Sequence, residues 1–349
     1  MTTVVFKSPG LVPDLRLTVF GKEFHVHSAV LRLHSAFFRK FLDSTEKPSS
    51  PAGTRNLFKY DYVSVVDDDD SWGLEPISMV RCTSRPQQTK SCSFQPLCKL
   101  PSATTEALKD LNRVKTEQNA FEKVLRAIYC LSYDIDSVCE LEDVTRIADF
   151  YCALPALSSS LYRGLWKDTG LITSWDGIFT NADTVLAVAK KLRHPILFRE
   201  AVIIIVSQPG RWLCGREDFL SEDDDNLKAV VLRAHHRLCR LKLKADHHVR
   251  EALRFLPITS KSVRLSWHPE DEFSGHDHYT QIMNKLKATT FNGNEKRVAD
   301  AIRSLEALLK NNLVLTKPWN GINGGCGSSF YCTEVDDKDL PWDETETDW

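Results

Sequence analysis

The sequence predicts an α+β fold: a β-hairpin feeding a cluster of short helices, interrupted by a long insertion and followed by an all-α C-terminal region. Three observations carry that reading. Leu15, Leu17 and Val19 alternate with Arg16, Thr18 and Phe20, and after Gly21-Lys22 the alternation restarts at Phe24 and Val26, as in two half-buried strands joined by a tight turn. Past Val26 the apolar spacing turns helical, in two short and very apolar segments. From residue 119 onward every sustained apolar pattern has the helical period.

Ser28 is placed to cap a helix carrying Val30, Leu31 and Leu33, and Ser35 a second one carrying Phe37, Phe38, Phe41 and Leu42. The turn-rich stretch 43–57, DSTEKPSSPAGTRNL, ends that helix. Phe58–Val66 is aromatic and β-branched at period two, hence a strand, and Asp67–Asp70 turns the chain into a partner segment at Trp72-Gly73-Leu74. The four aspartates lack the glycine and distal glutamate of a calcium loop and read as a solvated turn. Residues 81–118 are polar without sustained periodicity, the irregular and partly disordered portion of an insertion spanning about 43–118.

Helices are expected over Asn119–Leu131 and Glu140–Leu154, and again past Pro155 with Leu157, Leu161 and Leu165. Val185, Val188, Ala189 and Leu192 mark another, and Pro195 starts one that is apolar nearly all round and therefore buried. Leu227, Val230, Val231, Ala234, Leu238 and Leu241 form a long stripe, with Val249 and Leu253 assigned to a separate helix. Tyr279, Ile282 and Leu286, then Val298, Ile302, Leu305 and Leu308, complete the helical region. No fixed-period repeat relates these segments. After Pro318 the chain becomes Gly-rich and then acidic, which predicts a disordered tail over 316–349. Trp342 and Trp349 leave a short docking motif as the alternative.

The order Asp14-Leu15, Phe24-x-Val26-His27, Val30-Leu31 and Ser35-x-Phe37-Phe38 resembles the start of a BTB/POZ domain. FEKVLRAIYCLSYDI and VTRIADFYCALPAL resemble that domain's later helices. The insertion is longer than in a minimal BTB domain and is similar to that of filamentous-fungal BTB proteins. The resemblance implies a BTB/POZ domain over 11–166 with its insertion at about 43–118, a helical C-terminal region over 167–315 and the acidic tail over 316–349. It further implies a protein–protein interaction module, either a homo- or hetero-association scaffold whose partner is another BTB domain, or a substrate adaptor on the cullin scaffold of a ubiquitin ligase. The remainder of the chain would then hold an unknown client. Leu15, Leu17, Phe24 and Val26 would be core. Phe37, Phe38 and Phe41 are the candidate interaction residues, because three aromatics within one and a half turns cover more than one helix face. Family adaptors often carry a hydrophobic residue two positions before a glutamate just after the second helix; here Ser44 stands two before Glu46, which favours association over cullin binding. His27, near Asp14 and the capping serine, reads as structural.

Composition points to an intracellular protein, cytoplasmic or nuclear. Hydrophobic and charged residues make up 42% and 26% of the chain, as in soluble globular proteins. A formal net charge of −2 supplies no global attraction to nucleic acid or an anionic membrane. The N-terminus is a poor signal peptide, the most apolar run, Ala201–Val206, is far too short to span a bilayer, and no Asn-x-Ser/Thr site occurs. Ten scattered cysteines without a C-x-x-C pair read as reduced thiols. Without a phosphate loop, dinucleotide fingerprint, nucleophile elbow or His-Glu-x-x-His motif, neither a cofactor nor an enzymatic activity is expected. The rival reading is a zinc-binding protein or enzyme: His235 and Cys239, four apart on a helix, could share one ion with His247 and His248. His276-Asp277-His278 reads as loop, and the basic run Arg233–Lys244 as a solvated helix face.

Overall fold

The computed structural model describes residues 2–43, 58–67, 71–77, 105–165, 177–178, 180–207, 224–254, 275–288, 295–315, 331–343 and 345–346. The chain divides into two units, Met1–Lys167 with Thr347–Trp349, and Asp168–Glu346.

The N-terminal unit is built on a five-stranded sheet in the order β1-β3-β2-β4-β5, with β1 Thr3–Val5, β2 Leu15–Val19, β3 Lys22–Val26, β4 Tyr60–Val66 and β5 Trp72–Pro76. β2 and β3 form the expected hairpin, Leu15 opposite Val26 and Leu17 opposite Phe24, and all four side chains are buried, as expected of core residues. β4 lies parallel to β2 and antiparallel to β5. β1, which the sequence reading missed, adds a parallel edge to β3. Its three residues are too few to display a period, and its burial comes from Phe6 just beyond it, whose ring packs 4.8 Å from that of Tyr129.

The hairpin turn is unusual. Phe20 (φ 46°) and Gly21 (φ 84°) are both left-handed, the geometry of a type I′ turn, in which Asn-Gly is the favoured pair. Phe20 is held there by distant parts of the chain. Its amide donates to Ser64 Oγ (2.8 Å), its carbonyl accepts from Gln118 Nε2 (2.8 Å), and its ring meets Trp72 edge-on at 5.3 Å.

Helices α1 (Ser28–His34) and α2 (Ala36–Asp43) follow the hairpin. Ser28 does not cap α1 as expected: it is the first helical residue, and the cap comes from Asp14, whose carboxylate accepts from the Ser28 amide (2.7 Å) and hydroxyl (2.6 Å). Asp14→Ala should therefore cost about 1–2 kcal/mol, read as lower hydrogen-exchange protection of residues 28–34. Ser35 does cap α2, accepting from the Phe38 amide at 3.1 Å.

Helix α3 spans Thr105–Ile128, so the stretch 105–118, expected to be irregular, is helical. Ala, Leu, Lys, Glu and Gln dominate those residues, and their helix propensity extends the helix outward from its buried half without needing an apolar stripe. The extension has work to do: Glu117 accepts from Trp72 Nε1 (3.0 Å) and pairs with Arg146 (2.7 Å). Helices α4 (Val138–Phe150) and α5 (Leu154–Leu165) complete the unit. Ser137 caps α4 through the Glu140 amide (3.1 Å), while Glu140 accepts in return from the Asp136 amide (2.8 Å).

Of the second unit, the described residues are helical apart from short connections and a C-terminal segment: α6 (Ala182–Lys191), α7 (Pro195–Ser207), α8 (Asp225–Leu253), α9 (Gly275–Ala288) and α10 (Glu295–Leu309). α7 is buried from Leu197 to Ser207 with Arg199 alone partly exposed, as its apolar run Ala201–Val206 requires. His194 caps it, accepting from the Leu197 amide at 3.2 Å, and burial pushes the imidazole pKa down to about 4, which keeps it the neutral acceptor a cap needs. α8 is one 29-residue helix, not two: no Gly or Pro interrupts 225–253, and Asp224 caps it through the Leu227 amide (3.1 Å). It packs along α10 and α7. His276-Asp277-His278 belongs to α9.

The acidic tail departs most from expectation. Residues 331–343, predicted to be disordered, are built into the second unit, with Tyr331, Cys332, Thr333, Val335, Asp339 and Leu340 buried. Composition misled because the acids are matched by arginines elsewhere in the sequence: Asp337 pairs with Arg199, Asp339 with Arg237 and Arg233, and Glu346 with Arg193. No helix among the described residues is long and apolar enough to cross a membrane.

Candidate protein-interaction surface

The three candidate phenylalanines separate into two roles. Phe38 is core, 1% exposed, and its ring stacks on Tyr151 at 5.4 Å with an interplanar angle of 4°. Burial pushes the Tyr151 phenol far above its ordinary value, so this ring remains neutral. Ser35 locks the pair from above, its hydroxyl donating to the Tyr151 carbonyl while its oxygen caps α2.

Phe37 and Phe41, one turn apart on the flank of α2 beside Phe38, are half-buried and stack on each other at 4.9 Å. Phe37 also approaches Phe150, at the end of α4, at 5.9 Å, and Phe41 approaches Tyr62 of β4 at 4.8 Å. Phe150 is 51% exposed. The result is an aromatic ledge of Phe37, Phe41 and Phe150, seated on the Phe38–Tyr151 stack, with exposed Lys40 next to it on α2. Such a ledge is rigid, apolar and partly wet, which suits it to burial against another protein surface. Phe150 escaped the sequence reading because it lies next to Tyr151, off the buried stripe of α4. An aromatic on the polar side of an amphipathic helix was the available signal.

His27 is structural in its contacts: buried, its amide donates to the Tyr129 hydroxyl (2.7 Å), and its Nδ1 lies 2.9 Å from the same oxygen. The zinc candidates are not brought together. His235 Nε2 and Cys239 Sγ lie 3.7 Å apart, but His247 follows eight residues later on the same helix, about 12 Å along the axis at 1.5 Å per residue. His248 instead engages Ser304 Oγ of α10 at 2.6 Å. No cluster of three or more metal-ligating side chains occurs among the described residues. Cys82, Cys92 and Cys98, a cysteine cluster in the sequence without a matching fourth ligand, and the Ser44–Glu46 stretch lie outside the described residues.

Residues 5–65 match the family model of the BTB/POZ domain. The N-terminal unit thus carries a BTB/POZ domain, a module of protein–protein interaction, and a largely helical region follows it. No curated protein and no solved structure matches the chain.

Proposed function

We propose that this protein is an association scaffold, in which the BTB domain pairs with a second BTB domain, its own or another's, through the ledge of Phe37, Phe41 and Phe150. The observation that supports this most is the half-exposed aromatic cluster held on a fully buried, hydrogen-bonded base. A loose exposed phenylalanine would lose conformational entropy on binding, whereas these rings are already fixed. Lys40 beside the ledge gives a partner's carboxylates a place at the rim.

The test is the mass of the full chain in solution by light scattering across a concentration series. The expected result is a dimer that the double change Phe37→Asp/Phe150→Asp weakens by at least about 100-fold, a loss on the scale of interface hot spots. Circular dichroism of the variant should match the parent. A monomer at every concentration, with no BTB partner recovered by affinity capture from cytosol, would sink the proposal. Recovery of a cullin and a ring-finger subunit in that capture, lost in the same variant, would make the scaffold a ligase adaptor.

A further inference from the structure

We infer that the face formed by α7 and α8 is a peptide-binding groove for an extended, acidic, tryptophan-bearing segment of another protein, occupied in the resting chain by its own residues 331–346.

The occupant has the character of a bound peptide. Its one regular element is a single turn of 3-10 helix, Asp337–Asp339, preset by reciprocal bonds between Asp336 and Asp339. It is anchored chiefly through side chains: Asp337 to Arg199 of α7, Asp339 to Arg237 of α8, Glu346 to Arg193, and the Trp342 ring edge-on to Phe198 at 5.1 Å. Thr333 Oγ1 donates to the Ala234 carbonyl of α8 (3.2 Å), and the Glu334 carbonyl accepts from Arg237 (3.1 Å). These contacts define a recognition pattern: an acid, a second acid two residues on, then a leucine, and an aromatic three residues after the second acid.

The anchoring is uneven in a way that permits exchange. Tyr331–Thr333 are buried, and of the three anchoring acids Asp339 is the buried one, with its side chain 6% exposed, whereas Asp337 and Glu346 are 76% and 51% exposed and hold only weakly. The segment is joined to the helices by the Gly-rich sequence NGINGGCGSS. Covalent attachment makes filling of the groove intramolecular, at an effective concentration on the order of millimolar, so modest affinity keeps the groove filled until a better ligand arrives. The chemistry also selects against other partners. Four arginines, Arg193, Arg199, Arg233 and Arg237, with an apolar floor disfavour basic segments, and Leu340 and Trp342 add a requirement that acidity alone does not meet.

The experiment uses the full chain with a specific protease site inserted between Gly324 and Gly325, cut after folding, and a fluorescein-labelled synthetic peptide of residues 331–346. The cut protein should bind the labelled peptide saturably, and the uncut protein at least about 100-fold more weakly, because its own tail competes. Peptides with Asp339→Asn or Trp342→Ala, and protein with Arg237→Glu, should each lose at least about tenfold in affinity. Hydrogen exchange of α8 checks that the Arg237→Glu protein is folded. Two results overturn the inference by making the segment a fixed part of the fold: the cut protein keeps its tail through gel filtration and takes up no peptide, or it loses helical circular dichroism on cleavage. A third overturns it in favour of a second copy: intact chains form tail-exchanged dimers that Arg237→Glu abolishes while Phe37→Asp/Phe150→Asp does not. The outcome is independent of the BTB association test, which reads a different unit.

Discussion

Phe38→Ala should destabilise the N-terminal unit by about 3–5 kcal/mol, the range for truncating a buried aromatic. The loss has two parts. The benzyl group leaves a cavity beside Tyr151 that α2 cannot close, because Ser35 pins the start of that helix to the Tyr151 carbonyl. The Tyr151 ring then loses its flat partner and keeps edge contacts to Phe37, Phe121 and Phe150 and a tilted one to Trp72. Phe37→Ala, on the half-exposed side, should cost only about 1 kcal/mol while weakening association. The measurement is hydrogen exchange of the most protected amides of α3 and α4 against denaturant. Equal losses for the two variants would mean that Phe37 is as much a core residue as Phe38 and that the ledge is not a surface.

Glu200→Ala should lower the stability of the second unit by about 3 kcal/mol, the scale for orphaning buried backbone donors. Glu200 is 1% exposed in a largely apolar helix, and its Oε1 accepts from the amides of Val314 and Leu315. Those two amides lie in the chain leaving α10, so one carboxyl oxygen ties α7 to that exit. Glu200→Gln keeps a carbonyl oxygen at the same reach and should cost roughly 1 kcal/mol. The readout is the thermal midpoint, expected to fall by about 5–10 °C for the alanine variant and far less for the glutamine variant. Equal falls would show that the two amides are satisfied otherwise.

The hairpin and the paired short helices were legible because each follows a single rule over a contiguous stretch, period two and then helical spacing with Ser35 at the cap. The paired strand β4 and β5 was legible for the same reason. What escaped was set by residues far apart in sequence. The cap of α1 comes from Asp14 and not Ser28, a choice that only the meeting of strand and helix decides. Helix α3 runs back to Thr105 on helix propensity without a stripe of its own, and Glu117 and Gln118 on it then serve Trp72 and the hairpin turn. The tail looked solvated because its acids were weighed without the arginines of α7 and α8 that meet them. In the candidate surface, Phe38 and its neighbours were flagged together, but the division into core and ledge depended on Tyr151, more than a hundred residues away.

The left-handed pair Phe20-Gly21 bears on the order of events during synthesis. A hairpin closed by Asn-Gly can form as soon as its two strands exist. This one cannot rely on its own turn, since Phe20 finds its stabilising neighbours in Ser64, Trp72 and Gln118, 44 to 98 residues downstream. At about 5–20 residues per second, the last of these leaves the ribosome roughly 5–20 s after the turn does. For that interval the two hairpin strands, with Leu15, Leu17, Phe24 and Val26 of the later core, are made but not locked. Sheet closure is thus a late and non-local step, of the kind that folds slowly and leaves nascent strands in need of chaperone cover.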